Sequence, residues 1–231
     1  MPRILVIPPH PDDEVLGCGG SIAAHTAAGS EVVIGYLTSG ERGGSLTGAS
    51  DLGHTREQEA LAAGAILGVP AEQVCLLRIP DGGINAYDVG QFGAVVRLLR
   101  DVRPDVLYVP HPYDGAFDHE AAFALCWRAA GMASSRNYPQ WGEPHWVPTI
   151  LGFEVWTPIV QPAFLRDITA VVDQKLAALD CYRTQVAGAR GPDQSTLVGP
   201  ACLHLSGFRG ASTTGGHREA FAVLRLGEVI L

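Results

Sequence analysis

The sequence predicts an α/β protein with a parallel sheet. Two observations support this class. Five short apolar runs recur along the chain, and segments with the periodicity of an amphipathic helix lie between them. Strands and helices that alternate at this rhythm form βαβ units, in which the strands lie parallel in one sheet. The 231 residues are enough for one large domain with a substantial buried core.

The apolar runs are the predicted strands, and helical patterns separate them. The strands are residues 4–9 (ILVIPP), 31–38 (EVVIGYLT), 73–79 (QVCLLRI), 105–110 (DVLYVP) and 149–156 (TILGFEVW). The first helical pattern, 14–28, stops before Gly29, which suits the left-handed position after a helix. The second contains Thr55 and Gln58 in the spacing of a capping box. The third stops before Pro104, as helices tend to do.

Two segments lack a regular pattern. Residues 132–148 are rich in proline and tryptophan, and residues 186–216 carry many glycine, serine and threonine residues. A helical pattern at 168–185 precedes the second segment, and residues 216–226 follow it. Irregular segments of this length in a compact domain are more often functional than spare, so both are candidates for substrate contacts.

The net charge and the cysteine content indicate which binding partners and which cellular compartment to expect. The formal net charge is -8 and no basic run occurs, which argues against nucleic-acid and membrane partners. No segment reaches the ~20 apolar residues that a membrane-spanning helix needs, and the N-terminal stretch lacks a signal-peptide pattern. The five cysteines form no CxxC pair, as is typical of reduced structural thiols, so a cytoplasmic protein is expected.

Stretches rich in acidic residues, histidine or glycine follow four of the predicted strands. HPDDE (10–14) follows the first strand, SGERGG (39–44) the second, PDGG (80–83) the third and HPYDGAFDHE (111–120) the fourth. Because ligands bind at the carboxyl ends of the strands in an open α/β sheet, these stretches are expected to meet at one rim. Their convergence supports a functional site more strongly than any one motif does.

The first of these stretches has the composition of a metal site. A catalytic zinc ion takes about three ligands from His, Asp, Glu or Cys and keeps one position for water. His10 and Asp13 are three residues apart, so a tight turn can direct both at one ion, and His119 offers a third ligand from another loop. Asp12 would point towards the water, whose pKa a bound metal lowers to roughly 7, and would accept its proton.

A structural explanation competes with the metal site. HPDD is also good turn and N-cap chemistry, and His111 alone is as readily a structural histidine as a functional one. His217 follows two glycines and could close over a site, although a structural or solvated role is the more common one. The histidines expected to be structural or solvated are His25, His54, His145 and His204.

A series of motifs in chain order carries a family resemblance. The motifs are PHPDDEVLGCGG, LTSGERGG, REQEALAAGAILGV, IPDGGI, HPYDGAFDHEAAF, FEVWTP and QKLAALDCYRTQ. With them the sequence resembles the PIG-L/LmbE-like zinc deacetylases, which include N-acetylglucosaminyl-phosphatidylinositol deacetylase and the enzymes that deacetylate GlcNAc-type precursors of mycothiol and bacillithiol. The resemblance implies a Rossmann-like, three-layer fold with a mostly parallel sheet. It also implies that residues 1–231 form one domain that binds one zinc ion.

The resemblance also implies a role for each matching residue. The matching positions are His10, Asp13 and His119 for the metal ligands, Asp12 for the general base, and Arg56 and Asp81 for contacts to sugar hydroxyls. Arg56 lies near the start of a predicted helix and Asp81 lies in a turn. Each could equally cap its own element instead of binding substrate.

One position departs from the family pattern. Family members commonly have His-Pro-Asp-His where this chain has Ala-Phe-Asp-His, so Ala116 replaces a histidine that polarises the substrate carbonyl or stabilises the oxyanion. That role is either lost or taken over by His111, Asp114 or His217. Loss of an oxyanion donor slows an enzyme by about 100- to 1000-fold. Asp118, next to the third ligand, is expected to form a hydrogen bond around the metal ligands.

Three functional hypotheses follow from the sequence. The first is a zinc-dependent hydrolase that removes acetyl from a small amino-sugar substrate of the GlcNAc type. The second keeps the metal chemistry but acts on a thiol-sugar conjugate or a natural product, with Trp127, Trp141 and Trp146 lining an apolar pocket. The third is a non-catalytic metal- or sugar-binding protein, against which the retention of Asp12 argues.

The sequence leaves the metal and the oligomeric state open. Two imidazoles and one carboxylate suit zinc, but they would also accept iron(II), cobalt or nickel. Proteins that resemble this one often form homo-oligomers, and no feature of the sequence fixes the state of this chain.

Overall fold

A seven-stranded sheet with helices on both faces forms the core of the computed structural model, which describes residues 1–43, 51–186 and 198–227. The strands are β1 (Arg3–Val6), β2 (Glu31–Thr38), β3 (Val74–Ile79), β4 (Val106–Pro110), β5 (Thr149–Phe153), β6 (Phe164–Asp167) and β7 (Arg218–Arg225). The helices are α1 (Asp13–Ala27), α2 (Leu52–Ile66), α3 (Val89–Val102), α4 (Phe117–Ala133), α5 (Val172–Leu179), α6 (Arg183–Val186) and α7 (Val198–Ala211).

The sheet is mostly parallel, and its later strands are added on the opposite side of β1 from β2 and β3. Its strand order is β3-β2-β1-β4-β5-β7-β6. Strands β1 to β5 run parallel, and β7 runs antiparallel to both of its neighbours. The chain adds β2 and β3 on one side of β1 and then β4 and β5 on the other, so the switch point lies between β1 and β4. The predicted α/β fold with a mostly parallel sheet is confirmed.

Residues of the first strand alternate between two apolar cores, one on each face of the sheet. Ile4 and Val6 belong to the core beneath α1, α2, α5 and α7. Leu5 and Ile7 belong to the core beneath α3 and α4. Because both faces of the strand are buried, its sequence is a continuous apolar run rather than an alternating one.

The largest differences from the sequence-based prediction lie in the C-terminal third. The helical pattern at 168–185 is broken, because α5 ends at Leu179 and only the single turn of α6 resumes after it. The described part of the irregular segment 186–216 contains α7, whose Gly210 would place a Cβ atom 1.9 Å from the carbonyl oxygen of Gly216. That glycine therefore serves close packing rather than a turn. Residues 216–226 contain β7, which pairs with β6, a strand that the apolar pattern did not predict.

The capping box predicted at Thr55 and Gln58 is also wrong. The helix α2 begins earlier, with Asp51 as its N-cap residue. Thr55 Oγ1 instead donates a hydrogen bond to the carbonyl oxygen of Asp51 at 3.1 Å. The helix thus begins before its apolar stripe does. The apolar stripe is the feature from which the helix was predicted, so the predicted start was too late.

A buried carboxylate fixes helix α1, which carries the site described below. The helix is interrupted at Cys18, whose φ of -147° is not helical. After the break, Glu219 of β7 accepts hydrogen bonds from the backbone N–H groups of Gly20 at 2.8 Å and Ser21 at 2.7 Å. Lys175 Nζ of α5 donates to the same carboxylate at 2.7 Å. Glu219 therefore caps the second half of α1 and ties it to α5 and β7.

All five cysteines lie in the described residues and are free thiols, as expected from their spacing. Cys18, Cys126 and Cys202 are buried, and Cys75 and Cys181 are partly buried. Within residues 1–43, 51–186 and 198–227, no helix combines the length and the apolar character needed to cross a bilayer.

Candidate active site

His10, Asp13 and His119 form a compact group of candidate metal ligands at the carboxyl ends of the strands. The donor atoms of the three side chains all lie within 4.8 Å of one another. Asp13 Oδ2 lies 3.1 Å from His10 Nδ1 and 3.2 Å from His119 Nε2, so both imidazoles face one carboxylate oxygen. Asp13 and His119 are buried, whereas the side chain of His10 is 19% exposed and leaves one side of the group open.

Carboxylates on the far side of each ring fix the orientation of the imidazoles. His119 Nδ1 lies 3.0 Å from Asp114 Oδ2. His10 Nε2 lies 3.2 Å from both Asp118 Oδ2 and Asp81 Oδ1. Histidine ligands of metals usually donate their outer N–H to a carboxylate in this way. The hydrogen bond expected of Asp118 is thus made to His10, which is distant in sequence, rather than to its neighbour His119.

The donor set fits a divalent cation. When the outer ring nitrogens donate their protons to the surrounding carboxylates, the inner nitrogens of His10 and His119 present lone pairs to Asp13. Three acceptors then face one another at 3.1 and 3.2 Å. Such an arrangement is repulsive without positive charge, and a cation satisfies all three groups at once. Two imidazoles and one carboxylate are a ligand set that zinc commonly takes.

The same carboxylates shift the pKa values of the two imidazoles. Burial alone would lower the pKa of His10, but hydrogen bonds to Asp118 and the other carboxylates outweigh burial and raise it to about 12. Burial is likewise outweighed at His119, where Asp13 and Asp114 raise the pKa to about 10. The surroundings of the two imidazoles thus favour positive charge next to Asp13, which a bound cation would also supply.

Asp12 stands at the start of α1 in a strained backbone conformation. Its φ is 121°, a value that costs a residue other than glycine about 1–3 kcal/mol. Its carbonyl oxygen accepts the N–H groups of Val15 and Leu16 at 3.0 and 2.9 Å, whereas its side chain caps nothing and lines the cleft over the ligand group. Burial and the charge of Asp13 raise the pKa of Asp12 to about 8, although nearby Arg56 opposes the shift.

Glu14 supports the strained turn from the side away from the cleft. Its Oε2 atom accepts the backbone N–H of Asp12 at 3.1 Å, and its Oε1 atom accepts a hydrogen bond from the hydroxyl of Tyr182. The Tyr182 hydroxyl oxygen lies 3.2 Å from that of Tyr36. Burial raises the pKa of Glu14 to about 7, although the hydrogen bond from Tyr182 lowers it. The sequence pattern contains no signal for this network.

Tyr182→Phe is expected to lower the free energy of unfolding by about 1–3 kcal/mol, because it removes a donor from a buried carboxylate. Urea denaturation monitored by circular dichroism measures the change. Tyr87→Phe is the matched control, since Tyr87 is 79% exposed and its hydroxyl lies outside the network. A Tyr182→Phe protein as stable as the Tyr87→Phe protein would show that Glu14 does not depend on this donor.

The cleft over the ligand group has a volume of about 190 Å³. Its lining residues are His10, Asp12, Asp13, Gly43, Arg56, Asp81, Ala116, His119, Trp156 and Gln185. Gly43, Trp156 and Gln185 were not among the site residues expected from the sequence. Trp156 follows the carboxyl end of β5, so the strand-end rule that located the other residues could have found it. Gln185 lies on the short helix α6, and its sequence surroundings contain no comparable signal.

The two residues expected to bind sugar both line the cleft, and neither caps its own element. Arg56 is buried, and its Nη1 atom donates to the carbonyl oxygen of Gly40 at 3.0 Å. Its Nη2 atom lies 3.4 Å from Asp12 Oδ1. Asp81 lies beside His10 and accepts the backbone N–H of Arg42 at 2.9 Å. Sugar binding by these residues therefore stays a prediction that the geometry permits.

The candidates for the missing oxyanion donor are engaged elsewhere. His111 Nε2 donates to the carbonyl oxygen of Thr157 at 2.8 Å, and His217 Nδ1 lies 3.0 Å from Ser206 Oγ. Neither imidazole is among the residues that line the cleft. Asp114, which is fully buried, is engaged by His119. Among these candidates the structure thus places no substitute for a histidine at Ala116.

The three tryptophans considered for an apolar pocket also lie away from the cleft. Trp141 is buried against Phe92 of α3. Trp127 and Trp146 are partly exposed and flank the guanidinium of Arg225, which lies 3.9 Å from the centre of the Trp146 ring. These contacts are typical of packing rather than of substrate binding.

An open α/β sheet whose strand ends bring together a His-Asp-His group and an adjacent aspartate is the architecture of a protein with a candidate metal site. The sequence model described as GlcNAc-PI de-N-acetylase (PIG-L) matches residues 5–130, which is more than half of the chain. The protein belongs to this family.

Similar proteins carry more than one named activity. The 1D-myo-inositol 2-acetamido-2-deoxy-alpha-D-glucopyranoside deacetylase of Rhodococcus erythropolis is 31% identical over 195 residues, which cover 73% of this chain and 65% of that protein. The chain thus spans just under two thirds of that relative. The 4-oxalmesaconate hydratase of Pseudomonas putida is 30% identical over 218 residues, or 84% of this chain and 82% of that protein.

A solved structure supports the fold over the whole chain. The conserved protein TT1542 from Thermus thermophilus has a crystal structure that superposes with a TM-score of 0.84 and 33% sequence identity. The alignment covers 100% of this chain and 98% of that one. Since the named activities of the relatives differ, the reaction of this protein has to be argued from its own residues.

Proposed function

We propose that the protein is a metal-dependent N-deacetylase that hydrolyses the acetamido group of a small GlcNAc-type substrate. The observation that carries the proposal is that Asp12 lines the same cleft as the His10, Asp13 and His119 ligand set. A carboxylate base beside an open cation site is what hydrolysis by an activated water requires. The acetamido sugar in the name of the Rhodococcus relative supports this substrate class.

Each residue of the cleft has a proposed part in the reaction. One zinc ion per chain, held by His10, Asp13 and His119, would polarise the amide carbonyl and acidify a water. Asp12 accepts the proton of the attacking water as the new C–O bond forms. It then returns this proton to the sugar nitrogen as the C–N bond breaks. Amide and water thus become acetate and amine, and Asp12 ends the cycle in its starting state.

Arg56 and Asp81 are proposed to position the sugar. The guanidinium of Arg56 can only donate hydrogen bonds, and the ionised carboxylate of Asp81 can only accept them. A sugar hydroxyl does both, so a donor and an acceptor in one cleft can fix the orientation of a sugar ring. Both side chains line that cleft.

The proposal is tested by measuring metal content and amide hydrolysis in the same preparation. We expect about one zinc ion per chain and chelator-sensitive release of acetate from GlcNAc derivatives. Zinc, iron(II), cobalt and nickel should each be added back to the chelated protein to identify the metal that restores the rate. Failure of the protein to bind any of these metals would overturn the assignment of the ligands. Bound metal without acetate from any derivative would overturn the deacetylase.

Hydration of a carbon–carbon double bond is the second candidate, because the Pseudomonas putida hydratase matches 84% of this chain. Water addition also needs an activated water and a base, but it breaks no amide bond. The two reactions are told apart by product, since hydration removes the ultraviolet absorbance of an unsaturated acid and releases no amine. Loss of that absorbance with no amine released would favour the hydratase.

A further inference from the structure

A second cavity, lined by apolar side chains, adjoins the catalytic cleft. Its volume is about 260 Å³. We call it the apolar cavity. Its lining includes Leu16, Trp156, Pro158, Ala201 and Leu205. Residues from α1, from the segment after β5 and from α7 thus meet around one space. A cavity lined in this way is a poor site for a sugar and a good one for a hydrocarbon group.

The apolar cavity and the catalytic cleft share a wall. Trp156 lines both of them. Leu16 lies one helical turn after Asp12, and its backbone N–H donates to the Asp12 carbonyl oxygen at 2.9 Å. Since a helix rises by about 1.5 Å per residue, the cavity begins about 6 Å along α1 from the proposed base. A group attached within a few bonds of the scissile amide can span that distance.

Hydrogen bonds to Asp114, a residue of the candidate active site, hold the shared wall in place. Asp114, which orients His119, also accepts the backbone N–H groups of Trp156 at 3.3 Å and Thr157 at 3.0 Å. Gly115 donates its N–H to Thr157 Oγ1 at 2.9 Å, which is a further hydrogen bond between the same two segments. The tryptophan is 58% exposed although its backbone is held by Asp114, as expected of a side chain that contacts ligand.

We infer that the substrate carries an apolar substituent close to the scissile amide and that the apolar cavity binds it. The inference rests on the proposed function and specifies its substrate class as an amphipathic amide, with a polar sugar in the cleft and a hydrocarbon group in the cavity. A cavity of about 150 Å³ holds benzene, so one of about 260 Å³ accommodates a larger aryl group or a medium-length alkyl chain. The group is attached either through the acyl carbon or through the anomeric oxygen of the sugar.

Two substrate series separate these points of attachment. The first lengthens the acyl group of N-acyl-glucosamine from acetyl to octanoyl, and the second lengthens the aglycone of an alkyl GlcNAc glycoside from methyl to octyl. Release of free amine measures hydrolysis in both, at concentrations below micelle formation. Each methylene that enters the cavity is expected to raise kcat/KM by about three- to fourfold, until the cavity is full.

Ala201→Trp tests whether the cavity causes this gain, because the indole fills space that the substituent would occupy. Ala211→Trp is the matched control, since Ala211 is exposed at the far end of the same helix and does not line the cavity. Ala201→Asp is a second variant, which places a charge at the lining and adds much less bulk than tryptophan does. We expect both Ala201 variants to abolish the chain-length gain in one series, whereas Ala211→Trp retains it.

The outcomes separate the inference from the proposed function. A gain in one series that disappears in the Ala201 variants but not in Ala211→Trp supports the inference and identifies the point of attachment. Hydrolysis of the shortest substrates with no gain in either series overturns the inference and leaves the deacetylase standing. A gain that survives both Ala201 variants places the binding elsewhere and also overturns it. If no member of either series is hydrolysed, the deacetylase fails and the inference fails with it.

Discussion

Replacement of Asp12 by asparagine is expected to lower kcat for deacetylation by about 100- to 10,000-fold, which is the usual contribution of a general base. Asparagine keeps the size of the side chain and its position beside Arg56, but it cannot accept a proton at neutral pH. The three metal ligands remain, so zinc content is expected to stay at that of the unaltered protein. Steady-state rates of amine release and metal analysis of the same preparation measure both quantities.

Asp173→Asn is the control for this substitution. Asp173 is exposed in the first turn of α5, and it does not line the cleft. Its replacement removes the same charge without touching the site, and kcat should not change. An Asp12→Asn protein that retains its zinc and its full rate would remove Asp12 from the reaction. One that loses zinc would show instead that Asp12 belongs to the metal site.

Introduction of a histidine at Ala116 is expected to raise kcat by at least about tenfold. Ala116 lines the cleft and lies three residues before His119, in an extended conformation with φ -87° and ψ 131° that any residue adopts. An imidazole there can donate a hydrogen bond to the oxygen that gains charge as the amide carbonyl is attacked. One preorganised donor of this kind typically contributes about 100- to 1000-fold to kcat.

Ala116→Phe separates the hydrogen bond from the bulk of the ring. Phenylalanine fills the same part of the cleft but offers no donor, so it should leave kcat unchanged or lower it. Metal content should be equal in both variants. A gain in both would reflect a change in cleft shape, and no gain in Ala116→His would mean that another group already stabilises the oxyanion.

The sequence was sufficient to predict the five parallel strands and the stretches that follow them at the rim, but not the strands β6 and β7. Strands buried on both faces, such as β1 and β4, are short apolar runs that stand out from helical segments. The end of such a run gives the position of the next few residues in space, and this is why His10 and His119 could be brought together although they are far apart in the chain. Five parallel strands with one shared rim are a consequence of the βαβ connection itself.

The hydrogen-bond partners of the site could not be predicted in the same way. Asp118 contacts His10 rather than its sequence neighbour because the first turn of α4 packs against the turn after β1. The bond between Tyr182 and Glu14 joins residues separated by most of the chain. The second bond depends on how α5 and the residues after it pack against α1, and a single sequence contains no periodic signal for such packing. Helix α7 was missed because pattern rules interpret glycine-rich stretches as loops, whereas Gly210 lies in this helix and allows a close contact with Gly216.

Asp114 couples substrate preference to metal binding, two properties that protein engineers usually vary separately. The same carboxylate accepts hydrogen bonds from His119, Trp156 and Thr157. In a library selected for new substrates, variants at Trp156 and Thr157 that shift this part of the backbone would therefore also disturb the orientation of His119, a proposed metal ligand. Variants with a useful substrate pocket but a lowered affinity for the metal would be discarded as inactive at trace metal levels. Screening such a library with metal in excess would recover them, and changes in substrate preference could then be scored on their own.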